Sequence, residues 1–341
     1  MRRGPVRAVV GLGIVAVAAL LLSGAPATVS AAPGSAIVDP EGGTPALRKS
    51  LADAARGYAD ARGRLAASQQ RQAVLVVRQN ETERRTAALT KDVDTLAAAA
   101  YRDGRPNLLT AALDSKSIPG FLGRSELINR LSTENNERIT ALRDARLDLE
   151  RQRRQLAREI QLQAVQEKAM AKRKADAERA LRAVGGGASA GFASGSGLRA
   201  AAAVPRNADG SFSSEGCTID DPTTSGCLTS RTLNALQEAK AAGFTRFVSC
   251  FRRASFGEHP KGRACDFAAA PDGFGGVATG GDKAYGERLA AYFVDNADRL
   301  GVLYVIWFRQ IWLPGTGWRA YDGGNGDPSS DHTNHVHLSV Q

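Results

Sequence analysis

Between Leu47 and Tyr101, leucine or a stand-in returns at every seventh residue: Leu51, Tyr58 and Leu65, then Leu75, Thr82, Leu89 and Leu96. A seven-residue period commits this stretch to a long helix whose apolar seam needs a helical partner. A second run supplies one, with Leu142, Leu149 and Leu156 seven apart, Ala145 and Ile160 beside them, and a polar helical continuation to about Val184. Between the runs, Gly104, Pro106, Pro119 and Gly120 interrupt helical continuity and leave a short apolar segment over 108–113. Residues 46–184 are therefore expected as an antiparallel coiled-coil hairpin, each helix roughly 80 Å long at about 1.5 Å per residue.

Aromatic residues avoid this region: of 20 in the chain of 341 residues, 17 follow residue 186, so the compact core is expected C-terminal. Charge divides at the same place. Residues 46–183 hold 28 Lys and Arg against 18 Asp and Glu, whereas 186–341 hold 14 against 15. Residues 1–32 read as a secretory signal peptide, with Arg2, Arg3 and Arg7 ahead of an apolar run from Ala8 to Leu22 and small residues through Ala32. Export makes nucleic acid an unsuitable partner, and basic residues that alternate with acids describe a solvated helical face.

Residues 185–216, rich in Gly, Ser and Ala, are expected as a flexible linker. Gly187-Ala-Ser189-Ala-Gly191 matches the nucleophile-elbow pattern, but neither the preceding strand nor the following helix it requires is indicated. Past the linker the texture is mixed α+β: helices over 230–242 and 283–300, strands over 244–253 and 264–268, a strand or hairpin over 302–312, and a last strand over 335–340. Cys217, Cys227, Cys250 and Cys265 all lie here, an even number in an exported chain, which points to two disulfides. The favoured pairing joins Cys217 to Cys227 and Cys250 to Cys265. Strand alternation opposes the second bridge if Arg252 and Asp266 share a face, unless a bulge intervenes.

All four histidines, His259, His332, His335 and His337, fall in this last region. In a strand, His335 and His337 point to one face, while His332 sits at an odd offset. His259 precedes a turn and Asp266 follows in the returning strand, which can bring imidazole and carboxylate together. Two histidines and an aspartate would give a metal three protein ligands and leave a position for water.

The run Glu258-His259-Pro-Lys-Gly262-Arg-Ala264-Cys-Asp266, preceded by Phe251-Arg252 and followed by His335-Val-His337, resembles the zinc D-Ala-D-Ala carboxypeptidase, lysostaphin and Hedgehog-like metallopeptidase group. The matched elements are H-x-x-G-x-A-x-D and H-x-H; Gly257 stands where the group usually carries a small hydroxyl residue. The resemblance implies a small α+β domain of that kind over 217–341. It further implies that zinc is bound by His259, Asp266 and His337, that His335 acts in catalysis, and that Arg252 stabilises an oxyanion.

The front half is similar to the exported coiled-coil regions that precede wall hydrolases, through Ala97-Ala-Ala-Ala-Tyr101-Arg-Asp-Gly104, the 108–113 segment and Phe121-Leu-Gly-Arg124-Ser-Glu-Leu127. Together the two resemblances imply an exported, cell-wall-associated zinc peptidase of carboxy- or endopeptidase type. It would hydrolyse an amide in peptidoglycan peptides, with its coiled coil held by a membrane complex. The alternative is a non-catalytic wall-binding adaptor with a degenerate peptidase-like domain.

Overall fold

The computed structural model describes residues 42–104, 107–193 and 197–341; the expected signal peptide and Pro106 lie outside them. Helix α1 spans Pro45–Asp103, α2 Leu108–Leu113 and α3 Ile118–Arg182. The two long helices pack antiparallel along their length. Inward positions of α1 step by threes and fours from Leu51 to Leu96, and those of α3 from Leu142 to Met170, which is the heptad seam. Much of that seam is polar: Glu159 accepts from Ser68 Oγ at 2.6 Å and from Arg71 Nε at 3.0 Å, and Gln152 donates to Thr82 at 3.0 Å. Pro119 and Gly120 do not break the hairpin. They sit in the first turn of α3, where proline's missing N–H costs nothing and Ser117 Oγ caps the Gly120 N–H. Among the described residues, no helix is long and apolar enough to cross a membrane.

The C-terminal part opens with a two-stranded ribbon, β1 (Ile219–Asp220) and β2 (Cys227–Leu228), and helix α4 (Ser230–Ala241). Next come β3 (Val248–Ser249), β4 (Ala264–Ala268), α5 (Gly280–Asp295), α6 (Ala297–Leu300), β5 (Val302–Trp307), β6 (Gln310–Leu313), β7 (Gly317–Ala320) and β8 (His335–Val340). The six-stranded sheet runs β3-β4-β8-β5-β6-β7, every neighbour antiparallel. One face buries Phe267, Val305, Trp307, Val336 and Leu338 against residues of α4 and α5 such as Leu236, Leu289 and Phe293. Alternation sends Tyr304, Ile306, Ile311 and Leu313 to the other face. There they meet Leu47, Leu51 and Ala55 from the base of α1 and Leu181 from the end of α3. The base of the arm therefore covers half of one face of the sheet.

The segment expected as a flexible linker touches the domain at several described positions. Ala188 bridges to Arg319, Phe192 meets Trp318 edge-on at 4.9 Å, and Ala201 is buried with its N–H on Asn296 Oδ1 at 2.8 Å. Some of its glycines serve close approach: a Cβ on Gly210 would stand 2.0 Å from the Gly63 carbonyl oxygen of α1. Small residues are there because backbone meets backbone.

Both disulfides form as favoured, Cys217–Cys227 and Cys250–Cys265. The alternation objection disappears because β3 ends at Ser249. Ser249 pairs with Asp266 and shares its face, so Cys250 turns with Cys265 to the helix-covered face. Beyond that point the Asp221 carboxylate accepts the Phe251 N–H at 2.8 Å, and Arg252 approaches Asp266 from irregular chain.

Candidate metal centre

β4 and β8 pair Asp266 with His337 and Ala268 with His335, so the carboxylate and both imidazoles project from one face. A 3₁₀ turn, His259–Lys261, ends at Gly262 with φ 66° and delivers His259 from the chain entering β4. Three atoms converge: His259 Nε2, Asp266 Oδ1 and His337 Nδ1, separated by 3.2, 2.9 and 3.3 Å. Ligands about 2.0–2.2 Å from a tetrahedral ion stand roughly 3.3–3.5 Å from each other, so small adjustments let this buried His–Asp–His group hold a metal ion.

The outer nitrogens are also engaged. His259 Nδ1 meets the Cys250 carbonyl, His337 Nε2 meets Ser339 Oγ at 2.8 Å, and His335 Nδ1 meets Asn334 Oδ1 at 2.7 Å. Outer partners of this kind fix ring orientation and tautomer at metal sites. His335 Nε2 lies 3.4 Å from Asp266 Oδ1. Arg252 Nη1 reaches Asp266 Oδ2 at 2.5 Å. Its side chain is 31% exposed, against 0–5% for the other site residues, so the open edge is on the Arg252 side.

Electrostatics favour an ionised Asp266 and a neutral His337. Burial alone would raise the Asp266 carboxyl, but the charges and hydrogen bonds of His259 and His335 outweigh it and hold the pKa well below the usual range. Burial drives His337 down to about 3 despite the pull of Asp266, so its ring is neutral with a lone pair to give.

His332 completes a cluster of all four histidines. It adopts φ 52°, lies tilted 4.9 Å from His335 and edge-on 5.7 Å from His337, and is 1% exposed; neither ring nitrogen is hydrogen-bonded among the described residues. It belongs to the loop before β8, not to the strand. Phe308 and Arg309, the two-residue turn joining β5 to β6, also have positive φ and bond to this loop through the His332 and Asp331 carbonyls.

The five residues expected from the sequence, Arg252, His259, Asp266, His335 and His337, thus come together. A family model described as "VldE, C-terminal domain" matches residues 224–336. That span holds Arg252, His259, Asp266 and His335 and stops one residue short of His337. No curated protein and no solved structure matches the chain.

Three participants escaped the sequence reading: Ser339, Tyr304 and the base of the arm. Ser339 was legible, since it stands two residues beyond His337 on the same strand face. Tyr304 stacks on His337 at 5.5 Å and 10°. On its outer side a cavity of about 480 Å³ is lined by Arg48, Lys49 and Arg56 of α1 with Gly257 and Glu258. Gly43 donates to the Gly323 carbonyl at 2.7 Å and Tyr321 to the Gly42 carbonyl at 2.9 Å, closing the chain before α1 over the same rim.

Ser339, His337 and Asp266 also make the contacts of a hydroxyl–imidazole–carboxylate relay. Nucleophilic catalysis does not follow. Ser339 is fully buried between strands, and no carbonyl carbon can approach its oxygen.

Proposed function

We propose that the C-terminal domain is an exported zinc-dependent peptidase that hydrolyses an amide in peptidoglycan peptides, and that the coiled coil positions or restrains it. The observation that supports this most is the convergence of His259 Nε2, Asp266 Oδ1 and His337 Nδ1 beside a third imidazole, His335, and the Arg252 guanidinium. The donor set, two imidazoles and one carboxylate, suits zinc, which when bound polarises a carbonyl and acidifies water.

The chain's own residues divide the remaining work. His335, held through Nδ1 by Asn334, presents Nε2 to take or return a proton. Arg252, at the open edge, would exchange part of its hold on Asp266 for the developing oxyanion. Two disulfides suit an oxidising compartment. A membrane complex holding the hairpin follows from its resemblance to arms that precede wall hydrolases.

The adaptor reading is favoured by one observation, the near-complete burial of every ligand-capable side chain. Metal analysis of the purified chain with hydrolysis of soluble wall fragments separates the two. One zinc per chain is expected, lost in His259→Ala and His337→Ala. His335→Ala and Arg252→Ala should keep most metal and lose activity, each by about 2.7–4 kcal/mol of transition-state stabilisation. Wild-type zinc content in His259→Ala or His337→Ala would sink the ligand set, and wild-type rates in both His335→Ala and Arg252→Ala would sink the catalytic assignment.

A further inference from the structure

Ser339 is fully buried, so its hydroxyl must find partners inside the sheet. It has two. His337 Nε2 lies 2.8 Å away, and the hydroxyl of Tyr304, its cross-strand partner on β5, interacts with it. A hydroxyl can donate or accept, a freedom that neither a carbonyl nor a carboxylate has.

That freedom matters at this position. With no cation present, His337 Nδ1–H donates to Asp266 Oδ1 at 2.9 Å, and Nε2 then accepts from Ser339. A cation on the Nδ1 lone pair requires the proton on Nε2, and Ser339 must then accept it. In that state the Ser339 proton turns to the Tyr304 hydroxyl oxygen, so the Ser339 hydroxyl keeps a partner as the His337 proton changes sides.

We propose that Ser339, backed by Tyr304, is a positioning residue that lets His337 exchange its carboxylate-donating tautomer for its metal-binding one. This rests on the metal-centre reading given above. It adds to it a residue that touches neither substrate nor metal, and a reason for a hydroxyl there.

Zinc affinity of the full chain, read by competition with a chelating dye, tests the proposal. Ser339→Ala should weaken binding about 10- to 100-fold at unchanged stoichiometry. Ser339→Thr, which keeps the hydroxyl, should recover most of that loss, and Tyr304→Phe should fall between. A second readout does not depend on affinity: in ¹⁵N–¹H spectra of the zinc-loaded chain, the His337 Nε2–H should exchange slowly with water in the wild type and rapidly in Ser339→Ala. Should the alanine variant not fold, Ser339→Cys against Ser339→Thr makes the same comparison, since a thiol is a weak partner. Unchanged affinity in Ser339→Ala, or Ser339→Thr binding as weakly as Ser339→Ala or Ser339→Cys, overturns the proposal. A wild-type chain that binds no zinc overturns the metal reading instead, and this one with it.

Discussion

A buried imidazole that stays neutral is a liability in acid, and this chain stacks two of them together. Burial and the neighbouring histidines push His332 well below its ordinary value of 6.5, and His337 falls to about 3. The unfolded chain therefore takes up protons near pH 6.5 that the folded chain refuses. Stability is full above that pH and falls as pH drops toward the folded values, by up to about 1.4 kcal/mol per pH unit for each imidazole. The Asp266 contribution has its window lower, being lost only as pH falls below its ordinary 3.8. Urea midpoints measured with chelator present should decline from pH 7 to pH 5. The decline should be shallower in His332→Asn, a residue that tolerates positive φ; equal slopes would show that His332 is protonated without cost in the folded protein.

At the level of elements, the docked segment before the C-terminal domain makes a prediction that a free tether does not. Gly210 has φ 86° and no room for a Cβ, whereas Gly187 has open space around it. Gly210→Ala should cost about 1–3 kcal/mol in chemical denaturation and Gly187→Ala almost nothing; equal costs would restore the picture of a swinging linker. Its composition misled because small residues serve both loose tethers and tight backbone contacts, and only the partner surface tells which. Other elements were readable to the residue. β4 and β8 coincide with the strands expected over 264–268 and 335–340, because Cys265 and Phe267 alternate with Asp266, and Val336, Leu338 and Val340 with His335, His337 and Ser339. β3 was overestimated: a strand over 244–253 shrank to two residues because Asp221 binds the Phe251 N–H and the Cys250 bridge turns the chain out of the sheet after Ser249. The heptads gave the hairpin. They could not show that Leu47 and Ala55, off the seam, face a sheet, since helix and sheet surfaces ask for the same apolar side chains.

In the whole molecule, the arm and the candidate site share one sheet face. Leu47, Leu51 and Ala55 cover the half formed by β5 and β6, the histidines occupy the half formed by β4 and β8, and Tyr304 belongs to both. Arg56 pairs with buried Glu258 at 3.7 Å, next to His259. On the proposed function, a wall peptide would reach Asp266 past Arg252, and the base of α1 beside the site would mask the domain as well as carry it. If the closed state is favoured by as little as about 1.4 kcal/mol, releasing the base should raise hydrolysis of soluble wall fragments about tenfold. The fragment for that comparison is 185–341: cutting later would strip Ala201 and Val204, which are bonded to Asn296 and Arg299. Leu51→Asp in the full chain should act in the same direction without any truncation. Both should also speed removal of zinc by a chelator, a readout that does not need catalysis. Identical hydrolysis and identical zinc release in the full chain, in Leu51→Asp and in 185–341 would rule out masking and leave the arm a spacer that sets where the domain works.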